Sequence, residues 1–385
     1  MKTVSRLGAP PQAPESLTEL MRSSPARSPL THGFLLLNLL VFLAMLSKGA
    51  GLWHTANGVQ LAWGANFGPA TQDGQWWRLV TAMFIHFGIV HLAMNLWALR
   101  DVGRLVERLY GPWRFATLYV GSGILGNLLS LVVQGNHAVS GGASGAIFGL
   151  YGALLVFLWR ERRQVMPSEF RWLFGAASVF TVLMLSMGWV IPGIDNAAHG
   201  GGLLGGALLA RVLARPWTAH SPHNRLGQGW ALLVLLAGTS WLAGHIPAPS
   251  YLFREELKAR AAIQSFTLAD QRITQQWGEI LSTAPRQRLS FEQLAGRIES
   301  TVTAGYERSF EQLMAATPES QAPSAAALEG LQAYALQRAQ ASRDLAEGLR
   351  TNDADKIRQA LRQAQRAATG ASRGLAPSSA ASTAK

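Results

Sequence analysis

Apolar runs and polar breaks alternate along most of the chain. Runs near 32–49, 79–99, 113–134, 144–159, 171–191, 197–214 and 229–247 each approach the roughly 17–25 residues a helix needs to cross a bilayer. They predict seven spans. Several contain Gly, His, Asn and Ser, and polar groups in hydrocarbon are costly enough to be kept for a purpose. Residues 1–31 are polar, with Pro10, Pro11, Pro14 and Pro25. They read as a flexible tail, too long and too polar for the charged lead of a cleaved signal peptide. The connection 50–78 holds Trp53, Trp63, Trp76 and Trp77, a residue type that favours the membrane interface. This connection is expected to lie partly within the outer leaflet.

After residue 249 the pattern changes. Ser290 and Gln293 have capping-box spacing. Phe291, Leu294, Ile298, Val302, Tyr306 and Phe310 then recur at helical steps, predicting an amphipathic helix. Pro323-Ser324 opens a second such pattern through Leu328, Leu331, Ala335, Leu345 and Leu349. This reads as a helical extramembrane domain over 250–370, of the kind a coiled-coil stalk makes. Residues 371–385 read as disordered.

Composition agrees with a membrane class. Charged residues are 15% and the hydrophobic set 49% of 385 residues, where soluble proteins carry about a quarter charged. Cysteine is absent, which excludes disulfides and cysteine-ligated metals. The net charge is +12, but no Arg/Lys run interleaves with aromatics, so a nucleic-acid partner is not expected. The distribution of charge is more informative than its sum. Lys2, Arg6, Arg22 and Arg27 precede the first span. Arg100, Arg104, Arg108 and Arg114 lie between the second and third; Arg160, Arg162, Arg163 and Arg171 between the fourth and fifth; Arg211, Arg215 and Arg225 between the sixth and seventh. The connections 135–143 and 192–196 carry no Lys or Arg. Basic loops stay in the cytoplasm. The N-terminus is therefore expected inside and the C-terminal domain outside, in a membrane that the basic, Ala-rich composition suggests is a bacterial inner one.

That orientation places the starts of the fourth and sixth spans on one side. The fourth opens with Ser140-Gly141-Gly142-Ala143-Ser144-Gly145-Ala146-Ile147-Phe148-Gly149. Glycines beside a serine let a substrate backbone approach, and a helix N-terminus offers unpaired N–H groups to an oxyanion. Gly145 and Gly149 also form a GxxxG packing face, so the stretch alone does not choose between packing and chemistry. His199 opens the sixth span, with Gly202 and Gly206 on its own face. Gly145, Phe148 and Gly152 lie within about 100° of Ser144. Packing these small-residue faces brings Ser144 and His199 within reach, as a nucleophile and its base require. Asp195, four residues before His199, suits a helix cap better than the third member of a triad. On the second span His91 and Asn95 share a face. They suit stabilisation of an oxyanion, interhelical hydrogen bonding being the alternative. Zinc held by His86, His91 and His199 ranks low, since no HExxH occurs and the five-residue step splits two of the faces.

Taken together, Trp77-Arg78, His91-x-x-x-Asn95, Gly142-Ala143-Ser144-Gly145 and Ala198-His199-x-x-Gly202-x-x-x-Gly206 resemble the rhomboid family of intramembrane serine proteases. The resemblance covers residues 32–215, in the family's motif order. It implies a six-helix core and a Ser144–His199 dyad without a carboxylate. It also implies an oxyanion site from His91, Asn95 and the Ser144 N–H, with Trp77-Arg78 in a membrane-embedded outer loop. Gly142, Gly145, Phe148, Gly202 and Gly206 would serve packing. The implied substrates are single-pass proteins whose spanning helix unwinds near the outer surface, with a small residue before the cut and no cofactor or metal. Phe148 departs from the tyrosine of many relatives; its ring can still pack against the His199 imidazole, and loss of the hydroxyl is expected to tune rather than abolish activity.

The expected organisation is a tail (1–31), a six-span core (32–215), a cytoplasmic link with a seventh transmembrane helix (216–249), the helical domain (250–370) and a tail (371–385). The fold class is an all-α polytopic membrane protein, a six-plus-one arrangement with a C-terminal helical extramembrane domain. Its partners are transmembrane protein substrates and membrane lipid. The C-terminal domain leaves open homo-oligomerisation or substrate recruitment. Two other functions compete with proteolysis. A non-catalytic relative that binds or escorts membrane proteins would typically lack the serine or histidine. A transporter would place its polar groups mid-membrane and show an internal repeat.

Overall fold

The computed structural model describes residues 16–21, 27–216, 224–318 and 321–374. Lys2, Arg6, Arg22, Pro10, Pro11, Pro14 and Pro25 of the expected first tail lie outside these, as do residues 217–223 of the link and 375–385 of the last tail. The described residues are helical, with no strand among them; Asn66 and Ser140 form one isolated antiparallel bridge. Two compact units result, Met1–Ala248 and Pro249–Lys385.

In the first unit, α1 (Leu17–Leu20) corrects part of the expected tail. Leu17 and Met21 are buried one turn apart, and the Ser16 hydroxyl and Leu17 N–H donate to the Glu169 carboxylate. There follow α2 (Pro29–Ser47), the short α3 (Asn57–Trp63), α4 (Gly68–Gln72) and α5 (Arg78–Thr81), a 3₁₀ turn Ala82–Phe84, α6 (Ile89–Tyr110), α7 (Pro112–Gln134), α8 (Ser144–Glu161), α9 (Pro167–Val190), α10 (Asn196–Val212) and α11 (Arg225–Gly244). By length and composition α2, α7, α9 and α11 each suffice to cross a membrane, and the broken pair α5–α6 adds a fifth. The shorter α8 and α10 carry the glycine faces and pack against α7. This is a polytopic helical membrane fold.

The second span differs from the helix expected over 79–99. It is two pieces bent by 96°. The chain at Leu52–Thr55 crosses the break and takes over its backbone hydrogen bonds: Ile89 N–H donates to Leu52 O, and Thr55 N–H to Phe87 O. Past Leu99 the helix continues about three turns, so Arg100, Arg104 and Arg108 are helical, not loop residues. Glu107 on this extension is buried and accepts from the N–H groups of Leu30 and Thr31 and the Thr31 hydroxyl, capping the start of α2. The connection 50–78 exposes Trp53, Trp76 and Trp77, whereas Trp63 packs into a small core with Met45 and Ile85.

The second unit comprises α12 (Phe253–Gln287), α13 (Phe291–Ile298), a π-helical turn Glu299–Thr303, α14 (Ala304–Ala315), α15 (Ala325–Arg350) and α16 (Ala354–Gly374). The capping box at Ser290 and Gln293 forms with both bonds. Instead of an extended stalk, the helices enclose one apolar core that includes Phe266, Ile298, Val302, Leu313, Leu328 and Leu345. The long α12 was not apparent in the pattern because its polar residues are dense and its buried positions few. Residues 371–374, expected to be disordered, complete α16.

Candidate active site

The site begins with the crossing of α8 and α10. A Cβ on Gly202 would lie 2.0 Å from the Gly145 carbonyl oxygen, and one on Gly206 2.1 Å from that of Gly149. Only glycine permits backbones this close, and the contact sets the two helix starts at a common depth. Ser144 and His199 occupy those starts. The His199 Nε2 and Ser144 Oγ are 2.8 Å apart. The Phe148 ring stacks on the imidazole at 4.4 Å between centroids and 18° between planes, so the departure from tyrosine keeps the packing. His199 is buried, and its Nδ1 has no hydrogen-bond partner among the described residues.

Asp195 does not complete a triad. One oxygen accepts from the Ala198 N–H at 2.9 Å, capping α10. The other accepts from the hydroxyls of Ser130 on α7 and Ser140 before α8. Ser140 in turn pairs its backbone with Asn66 in both directions at 2.8 Å, and the Asn66 amide donates to the Asn127 carbonyl of α7. One carboxylate thus ties together the segments that lead into Ser144 and His199, each four residues beyond its anchor. The sequence reading did not single out Ser130, Asn66 or Asn127. Their signal was a polar side chain in an otherwise apolar or short segment, but their partners are remote in sequence.

Gly142 has φ +122, and a Cβ there would meet His91 Cε1 at 2.7 Å and Ser144 Oγ at 3.8 Å. The His91 ring therefore lies across the Gly142 backbone beside the serine. The Gly142 N–H is held by the Ala82 carbonyl at 2.8 Å. In α8 the first intrahelical bond runs from the Ile147 N–H to the Ala143 carbonyl, which leaves the Ser144, Gly145 and Ala146 amides without helical acceptors. Asn95 is buried one turn along α6, and its amide donates to the His91 carbonyl at 2.8 Å. His86 is fully buried 5.2 Å from the His91 ring, and its Nε2 has no hydrogen-bond partner among the described residues. Among the described residues no three metal-binding side chains converge, His86, His91 and His199 included.

Trp77 and Arg78 act on the loop above the break. The Arg78 guanidinium donates to the carbonyls of Leu61 and Ala65, both at 2.8 Å, and to the Gln75 side chain, and it stacks on Trp77. They hold the end of α3 and the start of α5 together.

The chain is similar to known proteins. The Rhomboid domain model matches residues 73–216. Rhomboid protease GluP of Bacillus subtilis (strain 168) is 36% identical over 218 residues, 57% of this chain and 41% of that protein. RHOMBOID-like protein 9, chloroplastic, of Arabidopsis thaliana is 36% identical over 174 residues, 43% of this chain and 39% of that protein. These two relatives are thus matched over about two-fifths of their length. Putative rhomboid protease YdcA of Bacillus subtilis (strain 168) is 35% identical over 170 residues, 44% of this chain and 80% of that protein. With four-fifths of that relative matched, and the membrane helices meeting as described, the chain belongs to the rhomboid family.

Proposed function

We propose that this protein is an intramembrane serine endopeptidase that cuts spanning segments of single-pass membrane proteins near the outer face of the membrane. The observation that carries this reading is the hydrogen bond of 2.8 Å between Ser144 Oγ and His199 Nε2, inside a bundle of membrane helices. The names of the relatives, which include rhomboid proteases, support it.

In this reading His199 carries its proton on Nδ1 and accepts the Ser144 proton at Nε2 as Oγ attacks the scissile carbonyl carbon. The Phe148 face, stacked on the imidazole, holds the ring plane and favours the imidazolium that forms. The developing oxyanion is met by the Ser144 N–H and by His91. Asn95 joins them once its amide turns from the His91 carbonyl. His199 then returns the proton to the leaving amine, and water hydrolyses the acyl-enzyme by the same steps in reverse. Asp195, committed to three other hydrogen bonds, leaves the pair a dyad.

Arg160 in the last turn of α8 is followed by Arg162 and Arg163, and Arg211 in the last turn of α10 is followed by Arg215, at the opposite ends from Ser144 and His199. By the positive-inside tendency this supports a site at the outer side, with the N-terminus cytoplasmic and the C-terminal unit outside, in a bacterial inner membrane. The test is cleavage of a single-pass substrate by purified protein in liposomes, together with fluorophosphonate labelling. Ser144→Ala and His199→Ala are each expected to reduce cleavage at least about 10³-fold, and labelling is expected to vanish in Ser144→Ala. Undiminished cleavage in either variant rejects the dyad. Stable capture of the substrate without turnover by the unmutated protein would instead favour an escort role.

A further inference from the structure

Arg100, Arg104 and Arg108 stand at four-residue steps on α6 and so share a face. With Trp97, Asp101 and Met21 they line a cleft of about 380 Å³, in the half of α6 away from His91. Among the described residues none of the three guanidinium groups makes an ion pair. Arg108 donates one bond, to the Met21 carbonyl at 3.4 Å, while its Nε is buried without a partner. Arg160, at the end of α8, is by contrast paired with Glu161 and the Arg215 carbonyl.

Depth distinguishes this row from an ordinary basic loop. Thr31, at the start of α2, packs on Gly103. Arg100 therefore lies beside the body of an apolar span, about 15 Å from the end of its own helix at 1.5 Å per residue. A bare charge at that level is unfavourable and is normally kept for a partner. Trp97, almost one turn nearer the membrane centre than Arg100, is 64% exposed and offers an apolar surface beside the cleft. Three arginines against one aspartate favour an anion. The planar fork of a guanidinium matches phosphate oxygens two at a time.

We propose that this cleft binds the phosphodiester of an anionic phospholipid, clamped by Arg100 and Arg104, with the lipid's acyl chains over the exposed apolar surface beside Trp97. The bilayer supplies this chemistry at the right depth, which a soluble ligand would have to reach from outside.

The experiment uses the full chain in nanodiscs of phosphatidylcholine, with or without part of it replaced by phosphatidylglycerol. The readouts are the thermal unfolding midpoint and the lipid retained in native mass spectrometry. Wild type is expected to gain several degrees with phosphatidylglycerol and to retain that lipid. Arg100→Gln/Arg104→Gln is expected to lose at least half the gain and the retained lipid. Arg104→Gln alone, an exposed position, serves if the double variant does not fold. A variant that gains as much as wild type overturns the proposal. So does Arg163→Gln, outside the cleft, if it lowers the gain equally, because binding would then be diffuse. An equal shift from inorganic phosphate in plain phosphatidylcholine discs would assign the cleft to free phosphate and reject the lipid.

Discussion

The two units hold themselves together in different ways. In the membrane unit the closest contacts are backbone against backbone, where α8 and α10 meet through Gly145, Gly149, Gly202 and Gly206. It also buries a core around Phe115, Tyr119 and Leu150, but α9 (Val179, Val182, Leu183) and α11 (Leu232, Leu233, Leu236) turn large apolar side chains outward. Buried Glu107 and half-buried Asp195 are each spent on shared hydrogen bonds. The C-terminal unit is held by side-chain packing, without a comparable outward apolar shell among its described residues. Leucine, isoleucine, valine and aromatic side chains fill one core, and ion pairs such as Arg350 with Glu299 lie on its surface. Even there buried charges are accommodated: Glu256 pairs with Arg260 and accepts from the Ser324 hydroxyl, and Arg338 lies over Trp277 and Tyr306 and donates to the Tyr306 hydroxyl, which itself bonds Asp270. The difference follows from the solvent. Lipid gives no hydrophobic drive between helices, so close packing and hydrogen bonds must do the work; in water, burial of apolar area dominates.

The largest test of that contrast is Gly206→Leu. Its side chain would displace the Gly149 carbonyl, overpacking by about 3 kcal/mol or more. We expect loss of cleavage and a lowered unfolding midpoint, whereas Gly229→Leu on α11, where a Cβ meets open space, changes neither. Equal behaviour of the two variants would break the comparison.

Asp195→Ala comes next. Releasing the Ser130 and Ser140 hydroxyls and the α10 cap loosens both leads to the dyad, and a misplacement of about 1 Å costs on the order of 10²-fold. The loss is expected in kcat and in the rate of Ser144 labelling, with KM little changed. Asp195→Asn, which preserves the cap, should lose less, and Ser140→Ala less again. Full activity in Asp195→Ala would reduce the carboxylate to a local cap.

In the C-terminal unit Leu313→Ala, at a fully buried position, should cost about 2–5 kcal/mol. Loss of hydrogen-exchange protection confined to Pro249–Lys385 is the expected readout. Spread of that loss into α8 and α10 would contradict independent cores.

The smallest effect is at Glu299, which accepts from Arg350 Nη1 and Nη2 at 2.5 and 2.6 Å. These hydrogen bonds hold its carboxyl below the ordinary carboxylate range. A depressed pKa contributes stability above the unfolded value that is lost as pH falls through the folded one. A small midpoint difference between wild type and Glu299→Gln should therefore exist at neutral pH and vanish in acid. A difference that persists in acid would point to packing rather than charge.

Much of the membrane unit was legible in the sequence. The positions of its apolar runs, the faces of Ser144 and His199 on their helices, and the cap at Asp195 all follow from period and residue type. The break at 85–88 was not legible, because it depends on the chain at Leu52–Thr55 competing for backbone hydrogen bonds. Nor was α12, whose polar surface hides a few buried positions. Helical period places side chains that share one helix, since neighbours along the chain determine it. Which helices meet, and whose hydroxyls reach one carboxylate, depends on groups far apart in sequence. Ser144 and His199 are 55 residues apart, and Ser130 and Asp195 are 65. Those pairings exist only once the glycine faces have closed and set the helices at one depth, and that was decided by the tertiary structure.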